Sequence, residues 1–336
     1  MTTLTSSTKT TLPSMLPTGW FQVAWSADIG DGAVVPLHYF NRDLVAFRQS
    51  GGQVSVLDAH CQHLGASLAH GGCVVDDGIQ CPFHGWVWDG GGRNVRIPYE
   101  KRPNRGRRIR SYPVAEINDS IYIWHDAAAD APAWGAPDGF EVLGQHVSSR
   151  RYHPLSAECR TRFENVKVHP QVIAENAVDP HHFRFVHRTP ISPTVLREER
   201  DDSTWSAKVG FGKRWADGTD RPDETLNTIE IYWSGLGVSF NGEHTREGIR
   251  VISICATPVD ETRSDIFAGY WISDEAPDDF AQRLAAAQLA LPDDIRIWEH
   301  QAYMDSPALA QSEADGFAAL REWARGFYPD PVGQGV

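Results

Sequence analysis

Apolar positions follow two different patterns along the chain. Up to about residue 125, short apolar runs alternate with Gly, Pro and Asp. Examples are Phe21-Gln22-Val23-Ala24-Trp25, Leu44-Val45-Ala46-Phe47, Val54-Ser55-Val56-Leu57 and Ile121-Tyr122-Ile123-Trp124. Short runs between turn formers predict a small all-β domain. Residues 126–137 are rich in Ala and Pro and read as a linker. Beyond them the pattern is mixed. Residues 170–187 carry helical spacing, and strand-like runs follow at 228–233, 248–256 and 266–272. Helical stretches at 280–291, 293–304 and 313–327 close the chain. Asp278 and Asp279 are placed to cap the first, and Phe317, Leu320, Trp323 and Phe327 space the last. This half is expected to be α+β, an antiparallel sheet with helices on one side.

A chain of 336 residues has room for about two domains. We divide it into a disordered lead-in (1–17), an all-β domain (18–128) and a second domain (138–330). Hydrophobic content of 41% supports an ordinary buried core. A formal net charge of −13 excludes a general nucleic-acid binder. No apolar run approaches the roughly 18–20 residues of a membrane span. The Ser- and Thr-rich lead-in lacks the apolar core of a secretory signal, so a cytoplasmic location is expected. The five cysteines are odd in number and widely spread, which argues against a disulfide framework. Cys61 and Cys81 each have a His close by, which points to metal binding instead.

Cys61-Gln62-His63 precedes Cys81-Pro82-Phe83-His84, with 17 residues between His63 and Cys81. Two loops, each with one thiolate and one imidazole, supply the donor set of a Rieske 2Fe–2S centre. Two thiolates bind one iron, and two imidazoles replace thiolates on the other. Zinc also accepts two Cys and two His, but classical fingers place both Cys on one side and both His on a helix. Here each loop mixes the types, which favours the cluster. Gly65, Gly71, Gly72 and Gly85 permit close backbone approach, and Trp86 and Trp88 offer apolar cover. Cys73, His60 and His70 fit no ligand spacing.

A second group lies at Asp179-Pro180-His181-His182-Phe183-Arg184-Phe185-Val186-His187. Positions three apart share a helix face, so Asp179 and His182 can face one way. The step of five to His187 overshoots unless the helix bends or ends there. His182 and His187, with one carboxylate, would make the facial triad of non-haem Fe(II) oxygenases. His181 is a rival to His182. Asp305, at the end of an apparent helix and before Pro307, is the candidate carboxylate. Asp293, Asp294, Glu299 and Glu313 compete with it on spacing alone.

These two groups, in this order, resemble the α-subunits of Rieske non-haem iron oxygenases. The likeness runs from about Gly19 to about Tyr328 and is narrowest to the oxygenase component of 3-ketosteroid 9α-hydroxylase. Val56 to Gly65, Cys81 to Trp88, Ile97-Pro98-Tyr99, Glu175-Asn176 and Ile297-Trp298 through Asp305 and Pro307 to Trp323 carry it. The resemblance implies a Rieske domain followed by a helix-grip-like catalytic domain. It selects Asp305 as the third iron ligand. It implies dioxygen-dependent monooxygenation of a bulky apolar substrate such as a steroid ketone. Electrons would come from NAD(P)H through a ferredoxin or flavin reductase. It further implies a homo-oligomer, a trimer, in which Asp179 bridges a cluster His of one subunit and His182 of the next.

Lys101, Arg102, Arg105, Arg107, Arg108 and Arg110 form a basic run in an acidic chain. It is read either as a solvated loop or as a docking patch for an acidic redox partner. The same cofactors would also serve demethylation, desaturation or oxidative cyclisation of a natural product or aromatic compound. An electron carrier or ligand-binding protein with a dead iron site is the reading from another class.

Overall fold

Residues 16–211, 227–245, 248–274 and 279–329 are described by a computed structural model. The first half holds eleven strands: β1 Gly19–Trp25, β2 Val34–Tyr39, β3 Arg42–Arg48, β4 Val54–Asp58, β5 Cys73–Val75, β6 Gly78–Gln80, β7 Val87–Asp89, β8 Asn94–Arg96, β9 Ser111–Tyr112, β10 Val114–Ile117 and β11 Ser120–His125. They form three sheets, ordered β1-β11-β10, β2-β3-β4-β9 and β5-β6-β7-β8. All pairings are antiparallel; most are hairpins, as the closely spaced turn formers require, while β1 pairs with β11 and β4 with β9 across the domain.

Two single-turn helices follow, α1 Gly139–Val142 and α2 Gln145–Ser148. Next come β12 Arg160–Val166, α3 Pro170–Glu175, α4 His182–Phe185, β13 Thr194–Arg200, β14 Thr204–Gly210, β15 Thr228–Ser234, β16 Val238–Thr245, β17 Gly248–Pro258 and β18 Ser264–Ile272. The chain ends with α5 Phe280–Ala287, α6 Ala290–Trp298 and α7 Ala314–Arg325. The strands make one antiparallel sheet ordered β12-β18-β17-β16-β15-β14-β13. This is the α+β arrangement expected for the second half.

Each face of that sheet buries a different core. Ile252, Ala256, Ile266, Ala268 and Tyr270 point to the side carrying α3, α5, α6 and α7. Their neighbours Val251, Cys255, Phe267 and Trp271 point the other way and pack with Phe21, Trp25, Tyr122 and Ile123 of the first half. Strands covered on both faces lose the alternation of polar and apolar residues. That is why 266–272 is a continuous apolar run and 248–256 is broken only by Arg250 and Ser253.

Several expectations need correction. The stretch 280–291 is not one helix; α5 ends at Ala287 and α6 begins at Ala290. Asp279 occupies the N-cap of α5 but makes no side-chain cap bond, and Asp278 lies outside the described residues, as does most of the lead-in. The helical spacing at 170–187 is broken at Asp179 and Pro180, where the proline disfavours helical backbone in the residue before it. Residues 126–137 have no regular structure, yet Trp134 anchors them. Its ring packs edge-on against Trp124 and Phe327, and its indole N–H donates to Ser234 Oγ at 3.0 Å.

The two halves are also joined by polar groups. Asp265 of β18 is buried and accepts from Arg162 Nη2 at 2.6 Å, the Tyr39 hydroxyl at 3.1 Å and the Asn165 N–H at 2.8 Å. Burial, and then the Asp265 carboxylate, push the Tyr39 hydroxyl well above the usual tyrosine range, so it stays a donor. Asp265→Ala leaves those donors without their acceptor. We expect a loss of about 2–3 kcal/mol, read as a lower urea midpoint at unchanged slope; an unmoved midpoint would contradict this account.

Candidate functional site

Two loops in the first half are built alike. The Cys61 N–H donates to Ala66 O at 2.9 Å, and the Gly65 N–H to Cys61 O at 2.9 Å. Twenty residues on, the Cys81 N–H donates to Trp86 O at 2.8 Å, and the Gly85 N–H to Cys81 O at 3.0 Å. Each turn needs left-handed backbone four residues after the cysteine, and glycine supplies it at φ +78° and +69°. The same turn is thus made twice, and each presents a buried Cys and then a His.

The loops bring their side chains together. The rings of His63 and His84 lie 4.8 Å apart between centroids. Trp86 stacks on His63 at 4.5 Å, and the Trp88 indole N–H donates to Cys61 Sγ at 3.3 Å. His84 Nδ1 is buried without a hydrogen-bond partner among the described residues. An unpartnered buried nitrogen is costly unless it serves as a ligand. Burial pushes the Cys61 thiol up, and the neighbouring Cys81 adds to the rise, against the pull of the His63 N–H and the Trp88 indole. Metal charge reverses that penalty by holding both sulfurs as thiolates. Two thiols, two imidazoles and an orphaned nitrogen fit a 2Fe–2S cluster of the mixed-ligand type.

The second group sits where α3 gives way to α4. Asp179 Oδ1 accepts from the N–H groups of His181 at 3.0 Å and His182 at 3.2 Å, which starts α4. His182 Nδ1 contacts the backbone carbonyl oxygen of Asp179. A carbonyl only accepts, so Nδ1 carries the proton and Nε2 presents its lone pair. Burial holds the His182 imidazole below its ordinary range, hence neutral. His187 Nε2 lies 3.3 Å from Asp294 Oδ1. One donor atom from each of His182, His187 and Asp294 lies within 4.8 Å of the others, and all three residues are half-buried. Two imidazoles and a carboxylate with converging donor atoms fit ferrous iron with open positions.

A cavity opens onto this triad. Its walls are mainly apolar, from Phe183, Ile229, Ile231, Trp233, Ile252 and Leu291. Ser239, Asn241 and Glu243 of β16 add polar groups. Ser239 Oγ is buried with no hydrogen-bond partner among the described residues. Glu243 is paired with Arg250 at 2.7 Å. Residues 212–226, 246–247 and 275–278 lie outside the described residues.

Comparison with known proteins decides the family. The profile of the 3-Ketosteroid 9alpha-hydroxylase C-terminal domain matches residues 123–328, and that of the Rieske [2Fe-2S] domain matches residues 19–113. The chain belongs to the 3-ketosteroid 9alpha-hydroxylase C-terminal domain family. It is a Rieske non-haem iron oxygenase, with a 2Fe–2S cluster and ferrous iron as cofactors and dioxygen as oxidant. As an oxygenase component it requires a redox partner. A cholesterol 7-desaturase of Xenopus laevis is 28% identical over 94% of this chain and 73% of its own. A 3-ketosteroid-9-alpha-monooxygenase oxygenase component of Rhodococcus rhodochrous is 28% identical over 95% of this chain and 83% of its own. Dicamba monooxygenase bound to dicamba shares the fold, with a TM-score of 0.66 and 19% identity over 91% of this chain and 95% of its own. So does Pseudomonas putida NdmA with caffeine, with a TM-score of 0.69 and 18% identity over 91% and 89%. No described helix is long and apolar enough to cross a membrane.

Within this oxygenase the structure groups Cys61, His63, Cys81 and His84, and separately His182 and His187. It does not bring Asp305 to them. Asp305 is exposed, seven residues past the end of α6, and its backbone carbonyl accepts from Arg321 at 3.3 Å. The carboxylate beside His187 is Asp294, one of the competing acids. Leu291, Asp294 and Trp298 are three and four apart, so α6 turns all three to one face. A carboxylate on that otherwise apolar stripe was the clue in the sequence. His181 is turned away: Nδ1 meets Ser192 Oγ at 3.0 Å and Nε2 meets Ser312 Oγ at 3.4 Å. The Trp88 donor to sulfur was also missed, because indoles in such a run read first as apolar cover. We expect Asp294→Ala to lower iron from about three to about two per chain with sulfide unchanged, and Asp305→Ala to keep all three. Metal and sulfide analysis checks both, and the opposite pattern would restore Asp305.

Proposed function

We propose that the chain hydroxylates a bulky apolar substrate of the steroid-ketone class, taking electrons from NAD(P)H through a ferredoxin or flavin reductase. The observation that carries this reading is the apolar cavity opening onto His182, His187 and Asp294. When bound, iron supplies dioxygen activation and the cluster supplies single electrons. The chain's own residues bind and orient. The Asp179 carbonyl fixes the tautomer of His182, and α6 carries Asp294 to the cavity edge beside Leu291. Apolar walls exclude water and select a large hydrocarbon body. Ser239, with its unpartnered hydroxyl, suits a substrate oxygen at the β16 wall. The name of the Rhodococcus relative supports the steroid class.

Desaturation is the second reading, because an equally similar relative is named a cholesterol 7-desaturase. Both can be tested on one reaction with steroid ketones and sterols under ¹⁸O₂. A product heavier by one labelled oxygen supports hydroxylation. A product lighter by two hydrogens and free of label supports desaturation. Failure to convert any steroid or sterol, with both metal sites filled, would sink the substrate class.

Asp179 is proposed to act at a subunit interface of a trimer. Its Oδ1 caps α4, while Oδ2 has no hydrogen-bond partner among the described residues. The expected carboxylate contact to His182 is not made, since the backbone carbonyl takes that role. The carboxylate therefore remains for a cluster histidine of a second copy. Apolar side chains stand exposed on both sides of such a joint, Leu64 and Phe83 at the cluster loops and Phe185 at α4. Arg102, Arg105, Arg107 and Arg108 are exposed and suit docking of an acidic redox partner, though Arg108 also donates to Gly91 O at 2.9 Å. Asp179→Asn keeps the cap and the carbonyl. We expect iron and sulfide to stay at wild-type values while turnover falls about a hundredfold or more; wild-type turnover would remove the bridge.

A further inference from the structure

A second cluster of metal-ligating side chains lies on the opposite face of the sheet from the cavity. Ile229, Ile231, Asn241 and Glu243 turn their side chains into the cavity. Their neighbours Glu230 and His244 therefore face the other way. In the β15–β16 register Glu230 pairs with Gly242, which places His244 two residues further along on the same face. Diagonal neighbours of this kind are within reach of long side chains. The third residue, His146, comes from α2. Val147 of α2 and Leu143 just before it belong with Phe240 to the core behind the sheet.

The donor atoms converge. His146 Nε2 is 3.1 Å from His244 Nε2 and 3.3 Å from Glu230 Oε2. One donor atom from each residue lies within 4.8 Å of the others. A tetrahedral zinc ion with ligand bonds of about 2.0–2.1 Å separates its donors by about 3.3 Å. The two shorter distances match that edge. The remaining carboxylate oxygen, Glu230 Oε1, is 3.6 Å from Lys208 Nζ, a partner that would orient a ligating carboxylate. Glu230 and His244 are half-buried and His146 is exposed, so an ion can reach the group from solvent.

We propose that His146, Glu230 and His244 form a further metal site, a His₂Glu site for a divalent cation of the zinc type, separate from the iron triad. Three protein ligands leave a fourth position to water. Bound there, the ion staples α2 to β15 and β16, whose other face is the cavity wall.

The test uses the holoprotein with its iron and sulfide counted before and after. Zinc is added by equilibrium dialysis to the wild type and to His146→Ala, an exposed position. Co(II) is added in a parallel sample for its visible absorption. The wild type should take up about one zinc per chain with iron and sulfide unchanged, and zinc should raise its Tm. His146→Ala should weaken that uptake more than about a hundredfold and abolish the Tm shift. Glu230→Gln should behave likewise, which guards against a folding defect in one variant. Equal uptake in wild type and variants, no uptake, or zinc gained only as iron is lost would each overturn the proposal. The three side chains would then be a hydrogen-bonded trio.

Discussion

The structure depends on one sheet being buried on both faces. β17 and β18 send alternate side chains into two separate cores. One core holds α6, which carries Asp294, and α3, which leads into the segment bearing His182 and His187. The other packs against β1, β11 and one face of β3 and β4, whose opposite face, at Val45, Phe47 and Leu57, joins a third core that holds Cys61 and Cys81 of the cluster loops. Burying a large apolar side chain contributes about 1.5–3 kcal/mol, and Phe21, Tyr122, Phe240 and Phe267 are all fully buried along this seam. The two metal groups are therefore connected through β17 and β18 and, on the cluster side, through β3 and β4. Trp134, wedged between Trp124 and Phe327, makes even that connection part of the packing.

How much of this was legible follows from distance along the chain. The cluster ligands were readable because all four fall within 24 residues on two copies of one turn. The strands at 248–256 and 266–272 were readable because burial on both faces makes them largely apolar. The edge strands β12 and β13 were not, since residues such as Arg197, Glu198, Glu199 and Arg200 alternate only weakly with apolar ones. The break in the helix at Asp179 and Pro180 was half legible: the spacing demanded a bend, and the proline provides it.

The carboxylate that the structure places beside His187 is not the one the sequence favoured, for a physical reason. Asp294 lies 107 residues beyond His187, and only the packing of α6 against the cavity brings them to 3.3 Å. No local spacing encodes that. Asp305 sits in a segment held by another interaction. Arg321 makes a two-pronged ion pair with Glu175, at 2.8 and 3.1 Å, and also donates to the carbonyls of Met304 and Asp305. The α6–α7 connection is therefore pinned to the end of α3, with its backbone and not its carboxylate in use. A segment rich in family-typical residues can be structural glue beside a site without entering it.

What the ligands cannot decide is the fate of the substrate. Two relatives of equal identity carry the names of a desaturase and a monooxygenase. Both outcomes begin with loss of hydrogen from carbon, so the metal donor set is not the discriminating feature. The difference must lie in where the substrate is held, and in this chain that is set by β15, β16 and the α6 face. Along β16, Ser239, Asn241 and Glu243 present polar groups to the cavity, while Phe240 and His244 face the other way. A wall whose inner residues read the substrate is thus rigidified from behind by α1, α2 and whatever His146, Glu230 and His244 hold. In the proposed function the inner face of these two strands meets the substrate, and the outer face backs it.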